Sequence, residues 1–151
     1  MKALYQELIL DHARSPRKAG LREPFDVEVM HVNPTCGDQV RLRVRLSATG
    51  GDIRVEDVSY ESMGCSISVA GASVMAQEVT GATVAEAMAR YDTMLAVVQG
   101  RAQADPETDG DVAAFAGVRK FPVRVKCALL GWAAMRDAVA RAAAAYPGQD
   151  T

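Results

Sequence analysis

The chemistry this sequence can do rests on three cysteines, Cys36, Cys65 and Cys127. An odd count suits no closed disulfide framework, and none of the three belongs to a CxxC pair. In a reducing compartment they are thiols or thiolates, open to metal binding or sulfur chemistry. Free cysteine is also often buried, so three unrelated core positions are the plainer reading. Asp38 stands two residues after Cys36 across Gly37, so a thiol and a carboxylate can converge on one cation, or Asp38 can serve an ordinary Asx turn. Cys65 follows Gly64 where strand patterning gives way to helical patterning. Orphan N–H groups and the dipole at a helix start favour a thiolate; a simple turn and cap is the alternative. Arg124 precedes Cys127 by three positions and shares a helix face with it. There it can pair with Asp38 or steady a thiolate, unless it is an ordinary solvated arginine. Lys126 projects in another direction. His31 lies close enough to Cys36 to be a substitute ligand, and His12 is the other histidine. No P-loop, GxGxxG, HExxH or G-x-S-x-G motif points to other chemistries.

Periodicity supplies the elements that must position these residues. Leu4, Tyr5, Leu8 and His12 mark a first helix over residues 2–14, stopped by Pro16 and Gly20. Phe25, Val27 and Val29 alternate with polar neighbours as a strand does. Residues 40–46 alternate without error, with Arg41, Arg43 and Arg45 on one wet face. That face suits cross-strand pairing with acids, or a docking patch. Gly50-Gly51-Asp52 turns the chain into a third strand over 53–62, whose apolar parity changes between Val55 and Val58 and predicts a bulge. Three strands joined by short turns make an antiparallel meander.

Helical patterning follows Cys65, over residues 66–79, with Gly81 as stop. Thr83 and Glu86 have capping-box spacing before a stripe running from Val84 to Val98 and ending at Gly100. A polar linker spans 101–110, and a short helical piece covers 111–116. The last helix has Pro122 in its first turn and a stripe of Ala128, Trp132, Met135 and Val139, with Pro147 and Gly148 as its stop. The class is α+β: an N-terminal helix, a three-stranded antiparallel sheet, then helices packed on one sheet face. All three cysteines fall at element ends, where clefts are built.

At 151 residues the chain is long enough for one domain, expected to span 1–151, with a core that needs no disulfides. An apolar fraction of 49% and a charged fraction of 24% are those of a soluble protein. A net charge of −2 gives no global reason to bind nucleic acid or an anionic membrane. Gln6, Glu7 and Asp11 interrupt the first apolar stretch, so it is no signal-peptide core, and no run is long enough for a membrane span. A cytoplasmic protein is expected.

Three segments, Asn33-Pro34-Thr35-Cys36-Gly37-Asp38, Gly64-Cys65-Ser66-Ile67-Ser68 and Phe121-Pro122-Val123-Arg124-Val125-Lys126-Cys127, resemble the three motifs of the SufU family. Leu10-Asp11-His12 followed by Ser15-Pro16-Arg17 matches that family's opening, and the likeness covers nearly the whole chain. The resemblance implies an IscU/SufU-like two-layer sandwich in which the motifs meet at one end. It implies one Zn2+ held by Cys36, Asp38, Cys65 and Cys127; beside them Arg124, placed by its spacing from Cys127, is taken as a further residue of the reaction. It implies a zinc-dependent sulfurtransferase for iron–sulfur cluster assembly. Its partners would be the cysteine desulfurase SufS, which forms a persulfide with pyridoxal phosphate, and a SufB-containing complex that receives the sulfur. In that scheme a desulfurase histidine displaces Cys36 from the zinc, and the freed thiol takes the terminal sulfur. The runner-up is an IscU-like scaffold on which the iron–sulfur cluster itself is built, since thiolates suit either metal. The long stretch from Cys65 to Cys127, Lys126 where IscU carries a histidine, and the lack of IscU's Leu-Pro-Pro-Val-Lys motif favour SufU.

Overall fold

Strict alternation of side chains builds the sheet. In β2 (Asp38–Thr49), Val40, Leu42, Val44 and Leu46 turn inward and are buried, while Arg41 and Arg45 stand in solvent. β1 (Val27–Asn33) and β3 (Asp52–Met63) flank it antiparallel, in the order β1-β2-β3. The computed structural model describes residues 3–146. The arginines of the wet face are paired: Arg41 and Arg43 with Glu28, at 3.4 and 2.7 Å, and Arg45 with Glu56 at 3.0 Å. Cross-strand pairing therefore accounts for that stripe.

The expected bulge is present. Register passes from Arg45 opposite Asp57 to Leu46 opposite Val55, leaving Glu56 as the extra residue. Without it Val55 and Val58, three apart, could not both point inward, and both are fully buried. β1 starts later than the alternation from Phe25 suggests. Phe25 lies outside the strand with the Arg43 guanidinium 4.3 Å from its ring centre, and Asp26 bonds to β2 instead, its N–H to Val44 O and its carboxylate to the Leu46 N–H.

The helices cover the inner face. They are α1 (Ala3–Arg14), α2 (Ser66–Val79), α3 (Val84–Val98), a one-turn α4 (Pro106–Asp109) and α5 (Pro122–Ala145). Lys2, Pro147 and Gly148, expected to begin the first helix and stop the last, lie outside the described residues. The capping box of α3 is made in both directions: Thr83 Oγ1 accepts from the Glu86 N–H at 3.0 Å, and Glu86 Oε1 from the Thr83 N–H at 2.9 Å. The stretch after Gly100 is more ordered than a linker with a short helical piece. Asp105 caps α4, and a 3-10 helix then runs through Gly110–Lys120, held down by buried Val112, Phe115 and Val118.

Two contacts set the helices relative to the sheet. α2 and α5 cross with backbones almost touching: a Cβ at Gly71 would lie 2.5 Å from Ala128 O, and one at Gly131 2.9 Å from Ala72. Ala128, the residue after Cys127, is thereby held against the middle of α2. His12, on α1 and 1% exposed, joins two other elements, with Nδ1 2.7 Å from Ser73 Oγ on α2 and Nε2 2.8 Å from Asp111 Oδ2 on the 3-10 helix. Burial works to raise the pKa of Asp111, but the hydrogen bonds from His12 and Gln77 outweigh it and hold the carboxyl below its ordinary value.

A candidate metal centre

Three chain junctions meet at one end of the sheet. The first is the β1–β2 loop. Asn33 closes it, its backbone oxygen accepting from the Gly37 N–H at 2.8 Å and its side-chain Oδ1 from the Thr35 N–H at 3.1 Å. Gly37, at φ +73°, takes the left-handed conformation that reverses the chain, leaving Cys36 exposed at the loop tip. Asp38, the first residue of β2, points the other way and is only 4% exposed.

The second junction is β3 to α2. Cys65 is the N-cap of α2, in extended conformation, and its side chain makes no cap hydrogen bond. Sγ is turned instead toward Asp38 Oδ2, at 3.6 Å, and lies 3.7 Å from Ser68 Oγ one turn on. The third is the start of α5, with Pro122 in its first turn and Cys127 buried in its second.

Cys36 and Cys127, 91 positions apart, bring their sulfurs to 3.2 Å. Donor atoms of Cys36, Asp38 and Cys127 all lie within 4.8 Å of one another, and Cys65 stands beside Asp38 at the edge of that group. Tetrahedral zinc with Zn–S near 2.3 Å sets sulfur–sulfur edges of about 3.8 Å, so the 3.2 Å between Cys36 and Cys127 would need to open by only a fraction of an ångström to fit one. Electrostatics point the same way. Burial first, then the neighbouring Cys36, Asp38 and Cys65, push the Cys127 thiol far above the ordinary cysteine range. Burial also works to raise Asp38, but hydrogen bonds from Ser68, Cys36, Cys127 and Cys65 outweigh it and keep the carboxyl below its usual value. Four groups that would all be anionic share one pocket, a donor set that a divalent cation suits and that protons otherwise satisfy.

Other candidates are elsewhere. Arg124 is exposed, its guanidinium 5.6 Å from the centre of the Phe121 ring, and makes no ion pair with Asp38 among the described residues. Asp38 is buried at the head of β2, while Arg124 is exposed at the start of α5. Lys126 is also exposed. His31 is hydrogen-bonded through Nε2 to Asp137 on α5 at 2.9 Å and is not in the cluster. Asp38 serves no Asx turn; its Oδ2 accepts from the buried Ser68 hydroxyl. Ser68 lies in the segment Gly64-Cys65-Ser66-Ile67-Ser68, which by itself assigns it no role. Its spacing from Cys65, three residues on one helix face, was the available signal.

Known proteins resemble this chain over most of its length. The NifU-like N terminal domain matches residues 4–128. The zinc-dependent sulfurtransferase SufU of Bacillus subtilis is 41% identical over 141 residues, 93% of this chain and 92% of that protein. The iron–sulfur cluster assembly scaffold protein IscU of Streptococcus pyogenes is 34% identical, over 93% of this chain and 85% of its own. The crystal structure of a nitrogen-fixing NifU-like protein (N-terminal) from Brucella abortus superposes with a TM-score of 0.80 at 26% identity, covering 93% of this chain and 95% of that one.

Proposed function

We propose that this chain, which belongs to the NifU-like N-terminal domain family, works in iron–sulfur cluster assembly as a zinc-dependent sulfur carrier, with residues 1–151 acting as one domain. The observation that carries the reading is the convergence of Cys36, Asp38, Cys65 and Cys127 from three separate junctions. In this reading the four side chains hold one Zn2+. When bound it supplies positive charge that keeps the thiols deprotonated at neutral pH, and no redox chemistry.

The reaction belongs to Cys36. It is the exposed sulfur at a loop tip, whereas Cys127 is 2% exposed. Its thiolate attacks the outer sulfur of a cysteine persulfide on a desulfurase such as SufS. The new sulfur–sulfur bond to Cys36 forms as the partner's breaks, the electron pair leaving on the partner's cysteine sulfur. The transferred sulfur keeps its oxidation level, so no outside oxidant or reductant is needed. Cys36 persulfide then passes that sulfur to the assembly complex containing SufB. Exposed Val32, Met63, Phe121 and Val123, next in sequence to the three junctions, offer a rim for protein contact. No helix among the described residues is long and apolar enough to cross a membrane.

Native mass spectrometry and elemental analysis should find one zinc per chain. A coloured protein carrying iron and sulfide would instead favour the scaffold role named for IscU relatives. Arg124 is assigned to the encounter, as an exposed cation one helical turn before Cys127 that draws in an anionic persulfide. Arg124→Ala should lower the rate of sulfur uptake about tenfold, more at low salt than at high, with zinc content unchanged. Wild-type kinetics at every ionic strength would return Arg124 to the solvated surface.

A further inference from the structure

We infer that Ser68 is a positioning residue for Asp38: it fixes the carboxylate so that Asp38 meets the ion through one oxygen only. The inference rests on the metal reading above and adds a residue to it. Ser68 is 1% exposed on the first turn of α2, and its hydroxyl donates to Asp38 Oδ2. Gly64 forms the opposite wall, where even a Cβ would lie 2.5 Å from Asp38 Oδ1. Between the hydroxyl and that wall the carboxylate has one orientation. A free carboxylate binds a cation through one oxygen or both, and outer hydrogen bonds select between these modes. Oδ2, the oxygen that faces Cys65 Sγ, keeps a second lone pair after accepting from Ser68, whereas Oδ1 is turned toward Gly64. The hydrogen bond therefore holds one oxygen toward the thiols, and rotating the carboxylate to offer both would leave a buried hydroxyl unpaired. Cys65 Sγ, 3.7 Å from the same hydroxyl, is held in register with the carboxylate by the same turn of helix. Ser68 thus favours four donors over five or six.

Cobalt(II) reports this directly, because its ligand-field bands are strong in four-coordinate sites and weak in five- or six-coordinate ones, while sulfur-to-cobalt charge-transfer bands report the thiolates separately. In the wild-type chain both sets should be strong. In Ser68→Ala the charge-transfer bands should persist, the ligand-field bands should weaken, and cobalt affinity should fall about tenfold to a hundredfold. Ser68→Thr, which keeps the hydroxyl, should restore the wild-type spectrum. In an Asp38→Ala background Ser68→Ala should have no further effect on affinity, since Ser68 acts through Asp38; a purely structural role would leave the two effects additive. Unchanged ligand-field bands and affinity in Ser68→Ala would overturn the inference while leaving the metal reading intact. Absence of sulfur-to-cobalt bands in the wild type would overturn the metal reading, and this inference with it.

Discussion

Cys36→Ala should take up sulfur from a persulfidated desulfurase about a thousandfold more slowly than the wild-type chain, because it removes the attacking atom itself. The size of the effect follows from where the sulfurs are. Cys127 is buried in the second turn of α5, so no incoming persulfide can reach it. Cys65 is exposed, but it sits at the helix start with Sγ turned toward Asp38 and Ser68. Cys36 is the exposed cysteine at a loop tip, next to left-handed Gly37, free of any helix. Cys36→Ser should be as inactive as the alanine variant, since a serine hydroxyl is not ionised at neutral pH. The measurement is transfer of labelled sulfur from the desulfurase, with mass spectrometry locating the added sulfur atom. Normal uptake by Cys36→Ala, or label on Cys65 in the wild type, would remove Cys36 as acceptor.

Local signals were legible wherever a neighbour in sequence was also the partner in space. Thr83 and Glu86 cap each other three residues apart, Pro122 opens its helix, and the parity change between Val55 and Val58 places Glu56 in the bulge. The positions of all three cysteines at element ends could be read in the same way. What local pattern cannot hold is distance closed by topology. Cys36 and Cys127 meet across 91 residues, and His12 reaches Asp111 across 99. The first pair depends on how α5 packs against β1 and β2, and the second on how α1 packs against the 3-10 helix, neither of which periodicity reveals. The family motifs stood in for that missing information at the thiols. They did not do so for Arg124, whose spacing from Cys127 is right for a shared helix face but says nothing about which way Asp38 faces once it is buried in a strand. Ser68 was invisible for a related reason: a serine in a helix looks the same whether it meets water or a buried carboxylate. The 3-10 run through Gly110–Lys120 also escaped, because its polar start reads as linker and only tertiary burial of Phe115 and Val118 holds it.

Gly64→Ala should lower zinc affinity about a hundredfold or more, although it adds a single methyl group next to Cys65. Gly64 does not adopt the left-handed conformation, so the backbone itself accepts alanine. Space is the constraint: the new carbon would lie 2.5 Å from Asp38 Oδ1 and 2.8 Å from Asp38 Cβ. Asp38 is 4% exposed at the head of β2 and tied to Ser68, so its carboxylate cannot swing into solvent without breaking that bond. Either the carboxylate leaves the site or the turn carrying Cys65 moves away from it, and each removes a donor. Gly37 makes the natural control. It has the reverse properties, φ at +73° and nothing within 4 Å of its missing Cβ, so Gly37→Ala costs backbone strain of about 1–2 kcal/mol without crowding a ligand. Competition with a chelator of known affinity should therefore rank the two variants, Gly64→Ala losing far more zinc binding than Gly37→Ala. Unfolding of the metal-free Gly64→Ala chain should shift by only about 1–3 kcal/mol, the ordinary cost of an overpacked methyl. Wild-type zinc affinity in Gly64→Ala would mean that Asp38 is not a ligand, because the one side chain its new methyl must displace would then be irrelevant to the ion.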